Sequence, residues 1–291
     1  MFDDLLLHPT TKKQLLAFAG RPGHGLLIAG PAGSGKKFIA NRLSAVLLGL
    51  EPDRLALHPQ YSVISKPDDK SEIPIDSARR LINKLSLKAG GGGSAINRVA
   101  VIEDADLLSG EAQNALLKLL EEPPDRTVLI LTSSWPQNIL PTVNSRLQAL
   151  NIVPVSLEQS DRFFNQYNSH EVDSAWRLSR GAPGLLSALL KQGSDHSMKQ
   201  AVEDAKKVLS LKGYERLGFM QMAAKDKLRF AKLLDGLSRV LAVLQQANIT
   251  NPNVAAKILT SRKAVLATQE ALEKNTNLRL AALNLALSMP L

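Results

Sequence analysis

The stretch GLLIAGPAGSGKK, residues 25–37, decides the fold. It opens with a short apolar run that ends in glycine, as a buried parallel strand does. The spacing G-x-x-x-x-G-K of a phosphate-binding loop follows. The residues after it, KKFIANRLSAVLLGL, place apolar side chains at helical spacing. Strand, glycine-rich loop and helix in this order predict an α/β phosphate-loop domain.

The loop departs from the usual motif at its last position. A serine or threonine hydroxyl normally follows the loop lysine and ligates Mg²⁺, but here a second lysine stands in its place. An ammonium group cannot ligate a metal. The motif therefore predicts a phosphate-binding loop, and whether this loop still binds nucleotide stays open. Its candidate nucleotide-binding residues are Gly30, Gly33, Ser34, Gly35, Lys36 and Lys37.

Acidic side chains end the second predicted strand, RVAVIEDAD (98–106). Phosphate-loop motors place a Mg²⁺-holding carboxylate and a water-polarising carboxylate at this point. Glu103 and Asp104 take the two positions, in the reverse of the usual Asp-Glu order. The interpretation as a degenerate metal site and the interpretation as a solvated strand end remain equally open.

Further elements extend the α/β pattern towards residue 155. SGEAQNALLKLLEEPP (109–124) predicts a helix that Ser109 caps and two prolines stop, and TVLILTSS (127–134) predicts a third strand. Ser133 and Ser134 could bond a phosphate or simply end that strand. KAGGGGSAIN (88–97) is expected to be a loop. The alternation predicts an open parallel sheet with ligands at the carboxyl ends of its strands.

An arginine follows the third predicted strand, in NSRLQAL (144–150). Arg146 could lie at the domain edge and reach a nucleotide in a neighbouring subunit, as an arginine finger does. The alternative is a surface ion pair. The dipeptide alone does not decide between them.

Composition limits the classes of function. The 291 residues include no cysteine, which excludes disulfides and cysteine-ligated zinc and fits a cytoplasmic location. No apolar run reaches the ~18 residues that span a bilayer, so no membrane partner is expected. The net charge is +9, and residues 195–291 hold 15 basic and 8 acidic side chains, a net of +7. That segment could contact nucleic acid or acidic protein surfaces, or could carry ordinary solvated helix faces.

The chain changes character after residue 155. Residues 156–192 show two or three short helical patterns broken by RGAPG (180–184), and the pattern from residue 195 is almost entirely helical.

Four quoted segments together carry a family resemblance: HGLLIAGPAGSGKK, the run from RVAVIEDAD through NALLKLLEEPP to NSRLQAL, RGAPGLL, and NTNLRLAALNLAL. The chain resembles bacterial clamp-loader subunits of the AAA+ class, of the delta-prime type in DNA polymerase III. The resemblance implies a RecA-like AAA+ domain at 1–155, a small helical lid at 156–194 and an all-α collar at 195–291. It implies partnership with motor ATPase and delta-type subunits, with the sliding clamp and, through the assembly, with primer–template DNA.

The resemblance also implies roles for single residues. Arg146 matches the arginine that reaches the ATP site of an adjacent motor subunit, and Glu103 and Asp104 match the Mg²⁺-site carboxylates. Lys37 replaces the hydroxyl, and Leu147 replaces a cysteine. RGAPGLL has the Gly-x-Pro-Gly form of delta-prime-type chains, where motor subunits place an arginine that senses nucleotide, and a four-cysteine zinc module has no counterpart. These departures favour a stator that aids clamp loading without turning over ATP itself. Two alternatives stay open: an active motor of the same family, and a DNA-binding adaptor using the basic C-terminal third.

Overall fold

The computed structural model describes residues 1–67, 70–87, 96–191, 197–273 and 276–290. The chain forms two compact units. The first holds residues 1–159 together with Ala182–Gly184, and the second holds residues 160–181 and 185–291. The division into three domains at 155 and 194 stays a prediction.

A five-stranded sheet forms the centre of the first unit. Its strands are β1 (Gly25–Ala29), β2 (Tyr61–Ile64), β3 (Arg98–Ile102), β4 (Thr127–Ser133) and β5 (Gln148–Asn151). All pair in parallel, in the order β2-β3-β4-β1-β5. The loop after β1 therefore lies at the carboxyl edge, next to the ends of β4 and β3. The predicted open parallel sheet is confirmed.

In the part of the first unit that the structure describes, five α-helices accompany this sheet: α1 (Pro9–Gly20), α2 (Lys36–Leu48), α3 (Ile75–Ser86), α4 (Gly110–Glu121) and the single turn α5 (Pro141–Asn144). Alternate residues of the buried strands join two separate cores. Leu26 and Ile28 of β1 belong to one core with residues of α1 and α2, whereas Leu27 belongs to the other with residues of α3 and α4. Burial on both faces explains why β1, β3 and β4 read as continuous apolar runs.

The predicted strands 25–30, 98–106 and 127–134 are confirmed within a few residues, as are the helices after the loop and at 109–124. Ser109 caps α4 by accepting a hydrogen bond from the amide of Ala112 at 3.2 Å. Of the predicted loop 88–97, residues 88–95 lie outside the described residues. The helices α1 and α3 and the strands β2 and β5 were not predicted.

The second unit is helical in its described part. Its helices are α6 (Leu157–Phe163), α7 (Ser169–Ser179), α8 (Pro183–Leu190), α9 (Ser197–Ser210), α10 (Gly213–Ala223), α11 (Lys227–Ala247), α12 (Pro252–Glu273) and α13 (Leu278–Ser288); α6 and α8 each begin with residues of the first unit. Helices α9 and α11 pack closely at Gly236, where a β-carbon would overlap the carbonyl oxygen of Ala201. The predicted helical character after residue 155 is confirmed, and α10 was missed.

Among the described helices, none combines the length and the apolar character needed to cross a bilayer.

Candidate functional site

The glycine-rich loop connects β1 to α2 at the carboxyl edge of the sheet. Gly33 and Gly35 adopt φ values of 84° and 85°, in the left-handed region that favours glycine. Helix α2 begins at Lys36, so its positive end faces the loop. The hydroxyl of Ser34 is buried and has no hydrogen-bond partner among the residues that the structure describes. The backbone therefore has the form of an anion cradle.

The loop lysine does not extend towards an open phosphate position. The Nζ atom of Lys36 donates to the carbonyl oxygens of Gly30 at 2.7 Å and Pro31 at 3.1 Å. The side chain is only 6% exposed. Burial lowers the pKa of Lys36, and the charges of Asp104 and Asp106 oppose that shift. The ammonium group is thus satisfied by the loop itself.

The second lysine lies against the two carboxylates at the end of β3. The Nζ atom of Lys37 is 2.9 Å from Oδ2 of Asp104 and 3.2 Å from Oε2 of Glu103. Burial lowers the pKa of Lys37, but the hydrogen bonds and charges of Asp104 and Glu103 outweigh it, so the pKa is raised overall. The structure thus brings three predicted site residues together, as an ion-paired cluster.

The backbone around the carboxylates is fixed by the neighbouring strand. Asp104 has a φ of 50°, and its amide donates to the hydroxyl of Thr132 at 3.0 Å. Asp106 accepts a hydrogen bond from the amide of Ser134 at 3.0 Å. The hydroxyl of Ser133 accepts from the amide of Trp135 at 3.0 Å. The hydroxyl of Ser133 and the backbone amide of Ser134 therefore take part in ending β4, and a role of either side chain at a phosphate stays a prediction.

The cluster does not fit a Mg²⁺–nucleotide complex. The oxygens that would ligate Mg²⁺ already contact an ammonium group, and position 37 offers no hydroxyl. The backbone of Gly184, a residue of the first unit, also lies against the loop: a β-carbon there would be 2.7 Å from the amide nitrogen of Gly35 and 2.8 Å from the carbonyl oxygen of Gly33. Among the described residues, no group of three or more His, Asp or Glu side chains could hold a metal ion.

Arg146 lies at the amino ends of the strands, at the edge of the sheet opposite the glycine-rich loop. It precedes β5, whose Gln148 is in register with Leu26 of β1, and its carbonyl oxygen is 3.1 Å from Nε2 of His24. The four steps from Gly25 to Ala29 along β1 separate this edge from the loop by about 13 Å, at ~3.3 Å per residue. Arg146 is therefore remote from the loop of its own chain.

The guanidinium of Arg146 is held within the first unit. It donates to Oε1 of Glu121 at 2.5 Å and to the carbonyl oxygen of Thr142 at 2.6 Å. The side chains of Arg146 and Glu121 remain 32% and 50% exposed. The partner Glu121 was missed, although it belongs to the quoted segment NALLKLLEEPP and ends α4.

Tyr61 is a second residue that sequence reasoning missed. It is 8% exposed in β2, and its hydroxyl donates to Oδ1 of Asn41 at 2.7 Å. Burial, together with the charge of Glu103, raises the pKa of Tyr61 to about 12. In the sequence, its burial was indicated only by its place in a short apolar run.

Known proteins share both sequence and fold with this chain. Residues 10–156 match the family described as "DNA polymerase III, delta subunit". The chain is similar to DNA polymerase III subunit delta′ of Pseudomonas aeruginosa, with 33% identity over 64% of this chain and 61% of that protein. It is also similar to subunit delta′ of Escherichia coli, with 29% identity over 87% of this chain and 81% of that protein. A DNA polymerase III gamma subunit-related protein from Thermotoga maritima shares the fold, with a TM-score of 0.57 and 18% identity over 96% of this chain and 97% of that one.

Proposed function

Because this chain belongs to the family described as "DNA polymerase III, delta subunit", we propose that it is a delta-prime-type stator of the bacterial replicative clamp loader. In this role it joins motor ATPase and delta-type subunits in the cytoplasm and helps to load the sliding clamp onto primer–template DNA. Its contribution to ATP hydrolysis is made at a neighbouring subunit and not at its own loop.

The position of Arg146 carries this proposal. A finger that serves its own chain must lie near its own phosphate loop, whereas Arg146 lies at the other edge of the sheet, partly exposed. An arginine supplied from one subunit to the ATP of another stabilises the charge of the transferred phosphoryl group. Glu121 holds the guanidinium in the unpartnered chain, and a γ-phosphate, with more negative charge, would compete for it.

The state of the chain's own loop supports the stator over the motor. A motor needs Glu103 and Asp104 free to organise a metal and a water, but both carboxylates contact Lys37. A motor also needs Lys36 at the phosphates, but its Nζ atom bonds two loop carbonyls. ATP could still occupy the cradle weakly, and Ser34 offers an unused hydroxyl there. Catalysis at this loop is not part of the proposal.

The test compares loop variants in the reconstituted assembly. Lys36→Ala in this chain should leave clamp- and DNA-stimulated ATP hydrolysis unchanged, because the loop does not turn over ATP. The same change at the loop lysine of the motor subunit is the matched control and should abolish hydrolysis. A comparable loss from both variants would make this chain a motor and refute the stator assignment.

The adaptor alternative rests on the net charge of +7 in residues 195–291. If that surface binds DNA phosphates, binding by the isolated chain should weaken steeply between 50 and 200 mM salt. Salt-independent or absent binding in a fluorescence-anisotropy titration with primer–template DNA would remove this alternative.

A further inference from the structure

One side chain contacts both carboxylates that would hold a divalent cation in a loop of this type. The ammonium group of Lys37 contacts one oxygen of Glu103 and one of Asp104, at 3.2 and 2.9 Å. These are the two side chains that would hold or organise Mg²⁺ in a loop of this type. The lysine itself stands at the position of the missing metal-ligating hydroxyl. Lys37 thus replaces the hydroxyl that would ligate the metal, and its ammonium group contacts the two carboxylates that would complete the site.

Two ammonium groups already offset most of the negative charge at the cluster. Glu103 and Asp104 carry two negative charges, and Lys36 and Lys37 bring two positive charges close to them. One carboxylate oxygen of Asp106 accepts a hydrogen bond from the amide of Ser134. A divalent cation would have to displace Lys37, because Mg²⁺ needs oxygen ligands at ~2.0–2.1 Å in octahedral geometry. An ammonium within 3.2 Å of the same oxygens excludes that arrangement.

We propose that Lys37 acts as a tethered replacement for the divalent cation, so that the loop of this chain excludes Mg²⁺. The side chain supplies the positive charge that keeps Glu103 and Asp104 together at the end of β3. The carboxylates keep their capacity to bind metal, and that capacity is blocked by the lysine. The inference rests on contacts within the first unit and is independent of the role proposed for Arg146.

The proposal predicts that one substitution creates a metal site. Lys37→Thr restores the hydroxyl and frees both carboxylates, and Lys37→Met frees the carboxylates without adding a ligand. Lys13→Thr is the matched control, because Lys13 is an exposed lysine in α1. Mn²⁺ serves as the probe, since it accepts the same oxygen ligands and is visible by electron paramagnetic resonance.

The experiment titrates the full-length isolated chain and its variants with Mn²⁺. Lys37→Thr should bind one Mn²⁺ at least ten times more tightly than the wild type and the Lys13→Thr control. Lys37→Met should show a smaller gain, and adding Asp104→Asn to Lys37→Thr should remove the gain. Circular dichroism identifies any variant that does not fold.

Two results would overturn the proposal. One is a folded Lys37→Thr or Lys37→Met variant with wild-type Mn²⁺ binding. The other needs no substitution at position 37: Mn²⁺ binding by the wild type that Asp104→Asn abolishes would show that the carboxylates accept metal despite the lysine. The measurement uses neither the assembly nor ATP hydrolysis, so its failure would leave the stator assignment to be judged separately.

Discussion

The pairing of Lys37 with Asp104 predicts that one substitution destabilises the wild type and has a smaller effect once Lys37 is replaced. In the wild type, Asp104→Asn removes the charge that accepts from Lys37 at 2.9 Å and should destabilise the first unit. In a Lys37→Met background the same change relieves repulsion between Asp104 and Glu103 but also loses the attraction between Asp104 and Lys36, so its net effect should be small. Asparagine tolerates the φ of 50° at this position, so the backbone does not confound the comparison.

The exposure of the partners sets the magnitude. Charge-assisted hydrogen bonds contribute ~1.5–3 kcal/mol when buried and ion pairs ~0–1 kcal/mol at the surface. Because Lys37 is 50% exposed and Asp104 31% exposed, we expect a coupling free energy of about 1 kcal/mol.

Urea unfolding measures the coupling. The chain has two tryptophans, so a Trp176→Phe background makes fluorescence report on Trp135 of the first unit. The coupling should shrink in ~1 M salt, which screens exposed charges. A coupling of zero within error, or equal effects of Asp104→Asn in both backgrounds, would refute the ion-paired cluster.

Two further predictions concern packing and titration. Gly236→Ala should destabilise the second unit by about 1–3 kcal/mol, because its β-carbon would overlap the carbonyl of Ala201. The control Gly218→Ala, with open space around it in α10, should stabilise the unit by ~0.5–1 kcal/mol. Thermal unfolding that ranks the two variants in the other order would contradict the α9–α11 packing. In a spectrophotometric titration, Tyr61→Phe should remove a phenolate signal centred near pH 12. Since the folded-state pKa is raised, the stability that Tyr61 contributes is complete below pH 10 and is lost as pH rises through 12. If the phenolate signal that Tyr61→Phe removes is centred near pH 10, the burial of this hydroxyl is contradicted.

The strands that could be predicted from the sequence are those that are buried on both faces of the sheet. β1, β3 and β4 are buried on both faces, so each shows as an apolar run between turn signals. β5 was missed because only Leu150 of its four residues is buried, as fits an edge strand. α3 was missed although Ala78, Leu81 and Leu85 recur on one helical face. α10 contains two glycines, which weaken a helical pattern.

At the candidate site, too, some residues could be predicted from the sequence and others could not. The loop, the carboxylates at the end of β3 and Arg146 were each identified from local motifs. Their partners were not, because the contacts join residues far apart in the chain: Lys37 with Glu103, and Arg146 with Glu121. The sequence showed that Lys37 had removed a metal ligand, and only the tertiary structure shows that its ammonium group also engages the carboxylates.

The most direct test of the central claim is ATP hydrolysis by the reconstituted clamp loader containing Arg146→Ala. In the isolated chain this change should cost only ~0–1 kcal/mol, because the Arg146–Glu121 pair is half-exposed. In the assembly, clamp- and DNA-stimulated hydrolysis should fall by a large part of the roughly 10³–10⁵-fold that a trans arginine supplies, with assembly intact. Arg79→Ala, at an exposed arginine of α3, should have no effect. Stimulated hydrolysis unchanged by Arg146→Ala would contradict the account.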